Sequence, residues 1–391
     1  MSEQSGATGA TGELAGRLLL EGELAPGRIR IEEGRIASVE RDSSVPAGAP
    51  VIAPGLIDLH VHGFGGADPL EDLATMARAL ARAGTTAFQP TLFPRPPAQL
   101  ARDAERVHAA AKRLAAGGDV AARVLGIHLE GPFLNRDAAG ALDPDDLVDP
   151  SPAALRAVLG PATAGGRGVR TMTVAPELPG GLELVRELTR AGVRASLGHS
   201  RASAPEARAA FAAGAPGATH LFNAMRGFHH RDAGLAGAVL VGRGLFAEII
   251  GDLVHVAPEA FELALAARGP GGLCLVSDAL SGAGTGCDAF HSHGRAHIVR
   301  EGAAFHPADE AHAEPRLAGS ATSQLEMIRR LHAAGVCSLA DALTMASTSP
   351  ARALGLDSEL GALRPGLAAD LIVLAGPELD LQRVLVAGRE A

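Results

Sequence analysis

Between residues 56 and 278 the chain alternates short apolar runs with longer stretches in which apolar positions recur every three or four residues. The apolar runs fall near 56–62, 85–91, 123–129, 169–175, 193–198, 217–222, 246–252 and 273–278. They are strand-like, and the stretches between them have helical periodicity. Residues 69–82 place Leu73, Met76, Ala77 and Leu80 on one face, and Gly84 provides a helix stop. Ser203 and Glu206 form a capping-box start after the fifth run, and Ser338 with Asp341 starts a later helix by an acidic variant of that signal. Eight strands alternating with helices predict an α/β fold, a (β/α)8 TIM-like barrel over residues 54–356.

The two chain ends have a different texture. Residues 16–53 and 357–391 read as short strands broken by Gly and Pro turns, with an alternating hairpin in GRIRIEEGRIASVE. They predict one small β-sandwich domain assembled from both ends, preceded by a disordered tail over residues 1–15.

Composition narrows the function. Of 391 residues, 47% are hydrophobic and 20% charged, enough apolar material for a substantial core. The formal net charge of −9 argues against nonspecific nucleic-acid or anionic-membrane binding, and the absence of Trp and Tyr removes most base-stacking platforms. No apolar stretch is long enough to span a bilayer, and the first residues lack the order of a signal peptide. Cys274, Cys287 and Cys337 form an odd set without CxxC spacing, which reads as reduced thiols in the cytoplasm.

The chemistry sits where the apolar runs end. LIDLHVHG (56–63), VLGIHLEGPF (124–133), ASLGHS (195–200), ATHLFNAM (218–225) and LCLVSDA (273–279) supply His60, His62, Glu130, His199, His220 and Asp278. In a barrel of this kind the carboxyl ends of the strands share one rim. His60 and His62, two apart on an extended segment, point the same way. A carboxylate with imidazoles suits Zn²⁺ or Fe²⁺ better than Mg²⁺ and leaves a position for water. Asp278 is then free to act as acid and base beside that water. The blander alternatives are histidines packed under loops, Glu130 paired with Arg136 or Arg231, and Asp278 as a helix cap or a ligand-orienting carboxylate.

Taken together, PGLIDLHVHGFGG (54–66), GIHLEGPFLN (126–135), THLFNAM (219–225), HRDAGLAGA (230–238), LVSDA (275–279) and RLAGSA (316–321) resemble the N-acetylglucosamine-6-phosphate deacetylase family of the amidohydrolase superfamily. The resemblance implies hydrolysis of the acetamide of a small amino-sugar phosphate. It also implies one or two divalent ions per subunit and a homodimer in which one subunit completes the other's phosphate pocket. It assigns Glu130, His199 and His220 to the main ion, His60 and His62 to a second, and Asp278 to proton transfer. Asn223, the Ala224 backbone, Arg231 and His255 would contact sugar or phosphate, and Leu317, Ala318 and Gly319 would line the sugar. Arg231 also reads as a surface partner of Asp232.

Two departures from the family pattern stand out. Where the family reads GAH, this chain has Leu142 after Gly140 and Ala141, and Leu142 donates no hydrogen bond to a substrate carbonyl. That leaves open a different N-acyl sugar or related amide as substrate, or a sugar-phosphate binder without catalysis. The His-rich stretch 286–315 is expected to be a solvated hairpin beyond the eighth strand, with His291, His293 and His297 as a possible accessory contact.

Overall fold

The computed structural model describes residues 12–160, 168–309 and 312–391. Its centre is a ring of eight parallel strands: Leu56–Val61, Thr85–Leu92, Ile127–Glu130, Val169–Val174, Arg194–Leu197, Gly217–Ala218, Phe246–Ile250 and Leu273–Val276. A short piece, Arg123–Val124, precedes the third strand and pairs with the second. The ring closes where Val61 bridges Ala279 and the Asp278 amide donates to the His60 carbonyl at 2.9 Å. Every apolar run read from the sequence is one of these strands.

The helices follow their local signals. Pro69–Arg82 buries Leu73, Met76, Ala77 and Leu80, and Asp68 caps it by accepting from the Leu70 and Glu71 amides. Just beyond its end, Gly84 takes φ +95°, a backbone region in which a side chain is strained. Ser203 and Glu206 make a reciprocal capping box on Ala204–Ala212, and Ser338 caps Leu339–Ala346 through the Asp341 amide. The barrel interior below the rim is partly polar. Thr173 meets Thr219 at 2.8 Å, Thr219 donates to Ser196 at 2.8 Å, and Thr171 donates to Gln89 at 3.1 Å, so these buried hydroxyls find partners across the barrel interior.

Both chain ends build one seven-stranded sheet. Gly12–Leu20, Glu23–Glu32, Arg35–Arg41 and Val51–Pro54 come from the front, and Leu371–Ala375, Asp380–Val386 and Arg389–Glu390 from the back. The halves join where Leu371–Ala375 runs antiparallel to Val51–Pro54, and Leu18, Ile29, Ile52, Leu371 and Leu385 share a core there. Residues 12–15, expected in the tail, instead begin the first strand, with Gly12 opposite Ile31 and Ala15 opposite Arg28. Pairing with the alternating hairpin extends the strand past the point where its own apolar pattern stops. The rest of the expected tail, 1–11, lies outside the described residues. We propose the same division of the chain into barrel and β domain, with the β domain beginning at residue 12.

The His-rich stretch is not a solvated hairpin. Ala289–Ser292, Arg295–Arg300, Ala303–His306 and Arg316–Ser320 form a four-stranded antiparallel sheet between the eighth barrel strand and the helix Gln324–Ala333. Its last strand returns to the rim, where Ser320 bridges Ala279. Ser292, His297 and His306 are buried on it, and the Phe290 ring stacks on His297 with centroids 5.0 Å apart. Its polar composition disguised this, because imidazole is an amphipathic side chain that packs as readily as it hydrates.

The sixth barrel strand lies close against the seventh at Gly217. A Cβ at Gly217 would overlap the backbone carbonyl of Phe246 on the seventh strand. Gly217→Ala is therefore expected to force those strands apart and to destabilise the fold by about 3 kcal/mol or more, read as a lowered thermal transition. A wild-type transition would show that the strands tolerate the added carbon.

Candidate active site

Three of the six rim residues stand on kinked backbone. His199, His220 and Asp278 each lie two residues past the fifth, sixth and eighth strands and take positive φ values of 46°, 27° and 48°. Such conformations cost on the order of 1–3 kcal/mol each and persist where the surroundings enforce them. Here each kinked residue's carbonyl accepts a backbone hydrogen bond: from Asn135 at 3.0 Å, from Asn223 at 3.0 Å and from Ser320 at 2.8 Å respectively. The kink aims each side chain inward over the barrel axis. His60 is the penultimate residue of the first strand, His62 follows that strand directly and Glu130 ends the third, all three buried.

These side chains converge on one point. Glu130 Oε1 lies 3.2 Å from His199 Nε2, 3.0 Å from His220 Nε2 and 3.4 Å from His60 Nε2. Its Oε2 lies 3.4 Å from His62 Nε2. The Nε2 atoms of His199 and His220 are 3.1 Å apart, as are those of His60 and His62. Asp278 Oδ1 stands 3.5 Å from both His60 and His62 Nε2. Glu130, His199 and His220 form one potential ligand set and His60, His62 and Glu130 another.

The donor set fits a divalent cation. His199 Nδ1 donates to the Ala138 carbonyl at 2.9 Å, which turns its Nε2 lone pair toward the centre. Lone pairs facing one another in a buried place are costly unless positive charge sits among them. Two ligands on a tetrahedral ion sit roughly 3.4 Å apart, close to the edges seen here. Burial holds the His60 imidazole well below its usual pKa, so it is neutral, as a ligand must be. Burial would raise Glu130, but the imidazoles of His60 and His199 overcome it and hold that carboxyl well below its usual range. At His220 burial opposes charge, yet the Glu130 hydrogen bond pushes its pKa up to about 9. Asp278 is raised as well, by burial and then by the negative charge of Glu130.

A cavity of about 320 Å³ opens above this cluster. Leu142, Asn223, Ala224, His255, Leu317, Ala318 and Gly319 all line it, together with His62, Glu130, His199, His220 and Asp278. His60 lies fully buried beneath. His255 Nδ1 is held by Asp252 Oδ2 at 2.6 Å. Arg231 is not brought to its own chain's cavity: it is exposed, with a guanidinium nitrogen 2.9 Å from His230 Nε2. It does not pair with Asp232, whose carboxylate is taken by Arg226. Arg136 spends its guanidinium on the Pro144 and Leu147 carbonyls rather than on Glu130.

The sequence reading missed several neighbours. Phe93 stacks on His62 with centroids 3.8 Å apart and planes 6° off parallel. His306 looks into the cavity from the four-stranded sheet, beside His293 and His297, which the sequence offers as an accessory contact with His291; His291 does not line it. From the same sheet Arg295 holds the turn that carries Leu142, reaching the Ala141 carbonyl at 3.4 Å and Asp143 at 2.8 Å. Glu248 on the seventh strand contacts His60 Nδ1 at 3.2 Å. Among the neighbours the sequence did not single out, Glu248 left a readable mark, a carboxylate inside the apolar run LFAEII.

Residues 51–390 match the Amidohydrolase family. The chain is 37% identical over 366 residues to the N-acetylglucosamine-6-phosphate deacetylase of Bos taurus, covering 90% of this chain and 85% of that one. It is 34% identical over 387 residues to the N-acetylgalactosamine-6-phosphate deacetylase of Escherichia coli O157:H7, covering 96% and 98%. A mutant N-acetyl-D-glucosamine-6-phosphate deacetylase from Mycobacterium smegmatis, solved with N-acetyl-D-glucosamine-6-phosphate, superposes with a TM-score of 0.85. That pair is 32% identical and covers 98% of this chain and 99% of that one. Barrel, rim and matches agree: the chain belongs to the amidohydrolase family and, within it, to the N-acetylglucosamine-6-phosphate deacetylase family.

His220 holds its proton up to about pH 9 when only side chains surround it, so a cation binding at neutral pH must displace that proton. Affinity for Zn²⁺ is expected to rise with pH and level off above about 9. Calorimetry at pH 7.5 in two buffers of different ionisation enthalpy reads the proton released. Identical heats in both buffers would contradict the assignment of His220 as a ligand.

Proposed function

We propose that this chain hydrolyses the acetamide of N-acetylglucosamine-6-phosphate to glucosamine-6-phosphate and acetate. The observation that carries the reading is Asp278, whose Oδ1 stands 3.5 Å from two imidazoles of the ligand cluster at the floor of a closely lined cavity. Glu130, His199 and His220 would hold the principal ion. His60 and His62, which share Glu130, offer a second seat, and the nitrogen-rich donor set favours Zn²⁺ or Fe²⁺. A divalent cation there polarises an amide carbonyl and acidifies the attacking water. Beside a bound cation, whose charge would counter the rise caused by burial and Glu130, Asp278 accepts the proton that water loses as its oxygen bonds to the acetamide carbon. It returns that proton to the amide nitrogen as the C–N bond breaks, which frees the amine and acetate. Asn223, Ala224 and His255 orient the sugar phosphate, while Leu317, Ala318 and Gly319 flank the ring. Among the described residues no helix is long and apolar enough to cross a membrane, and Cys274, Cys287 and Cys337 are unpaired, in keeping with a reducing, cytoplasmic setting.

Arg231 enters this reading through a homodimer. Since it lies outside its own cavity, its phosphate role requires a neighbouring copy. A sugar of the other C4 configuration is the second reading, because the galactosamine-type relative matches along nearly its whole length.

Asp278→Asn is expected to keep its bound metal and to lose acetate release by about 10²–10⁴-fold. Elemental analysis with an acetate assay checks both, and full turnover in this variant would remove Asp278 from the chemistry. For substrate choice, kcat/KM is expected to be highest for N-acetylglucosamine-6-phosphate, lower for its galactosamine epimer and lowest for the sugar without phosphate. Arg231→Ala is expected to narrow only the gap between the phosphorylated and unphosphorylated sugars. An enzyme indifferent to phosphate would discard Arg231's role, and one that prefers the epimer would transfer the activity to the second reading.

A further inference from the structure

The third group of potential ligands joins His60 to His128 and Glu248, two residues one layer below the rim that have no part in the chemistry just described. It does not read as another ion site, because both nitrogens of His128 are occupied: Nδ1 by the Leu59 carbonyl at 3.0 Å and Nε2 by the Thr173 hydroxyl at 2.8 Å. What is left is a single contact, Glu248 Oε2 to His60 Nδ1 at 3.2 Å, between two side chains that are 5% exposed or less.

We propose that Glu248 is a positioning residue that makes His60 a metal ligand, an inference that rests on the cation-binding reading of the rim and on no particular substrate. An imidazole carries one proton when neutral, and the partner of one nitrogen decides the state of the other. A carboxylate at Nδ1 takes the proton-bearing nitrogen for itself. The Nε2 lone pair is then left facing His62 at 3.1 Å and Glu130 at 3.4 Å. With the other tautomer an N–H would point into that centre and displace a cation. The same residue acts a second time through its backbone: the Glu248 carbonyl accepts from the Leu221 amide at 2.7 Å, next to the kinked His220. One residue of the seventh strand thereby fixes the ring of one ligand and the backbone beside another.

Zn²⁺ binding to the metal-stripped full-length chain, followed by calorimetry without substrate, tests this. E248Q keeps both the reach and an acceptor oxygen, so it is expected to bind Zn²⁺ within about three-fold of wild type. E248D keeps the charge but loses the reach, and E248M keeps the volume but accepts nothing. Each is expected to weaken the His60-dependent Zn²⁺ by about 10–100-fold, with H60Q identifying which binding step that is. The Asp and Met variants remove the contact in different ways, so either one that melts like wild type suffices. Wild-type affinity in such a variant, or a Gln variant as impaired as Met, overturns the proposal. Because no substrate is present, failure here is separate from failure of the deacetylase reading.

Discussion

The arrangement depends on a single carboxylate shared by four imidazoles. Glu130 is buried, and its two oxygens lie within 3.4 Å of Nε2 atoms from His60, His62, His199 and His220. A lone carboxylate in that position would be expensive to strip of water, and so would four inward-facing imidazoles. Together they define a place where positive charge is favourable. The strained backbone at His199, His220 and Asp278 is tolerable because the strand-end hydrogen bonds around it are complete. The polar ladder of Thr173, Thr219 and Ser196 below keeps those strands in register without asking an apolar core to sit against charge.

Reactive groups and enclosing groups come from different parts of the chain. The ligand cluster is carried on the barrel strands and the residues just beyond them. The cavity wall opposite comes from the four-stranded sheet that follows the eighth strand, and from the turn over Leu142 that Arg295 holds in place. The wall meets the strand ends where Ser320 donates to the Asp278 carbonyl and Ala138 accepts from His199, and away from those contacts it can change shape without disturbing the ion geometry. Leu142, standing where the family pattern places a histidine, is a change of this kind. It packs beside Leu134, Ala139 and Leu147 in a small cluster of its own.

Much of this was legible in the sequence, and the reason is periodicity. All eight barrel strands announced themselves as apolar runs because a strand covered on both faces is built mostly of apolar side chains. The same constraint made His60, His62, Glu130, His199, His220 and Asp278 visible as departures from apolar runs. Legibility failed where contacts are long-range or amphipathic. Gly12–Ala15 look like tail until Arg28–Ile31 pair with them. The histidines of the inserted sheet look solvated until Phe290 and the cavity are placed against them. Arg231 reads as a binding residue from its motif, yet its position depends on a backbone course that local spacing does not encode.

The seven-stranded sheet carries a temporal consequence. Its central seam joins Val51–Pro54 to Leu371–Ala375, segments separated by nearly the entire barrel. During synthesis the edge at Val51–Pro54 stays open until the last part of the chain leaves the ribosome, with only Gly12–Leu20 alongside. Val51–Pro54 leads straight into Leu56–Val61, the strand that carries His60. A truncated product would thus be left with an unsealed sheet edge next to the first barrel strand.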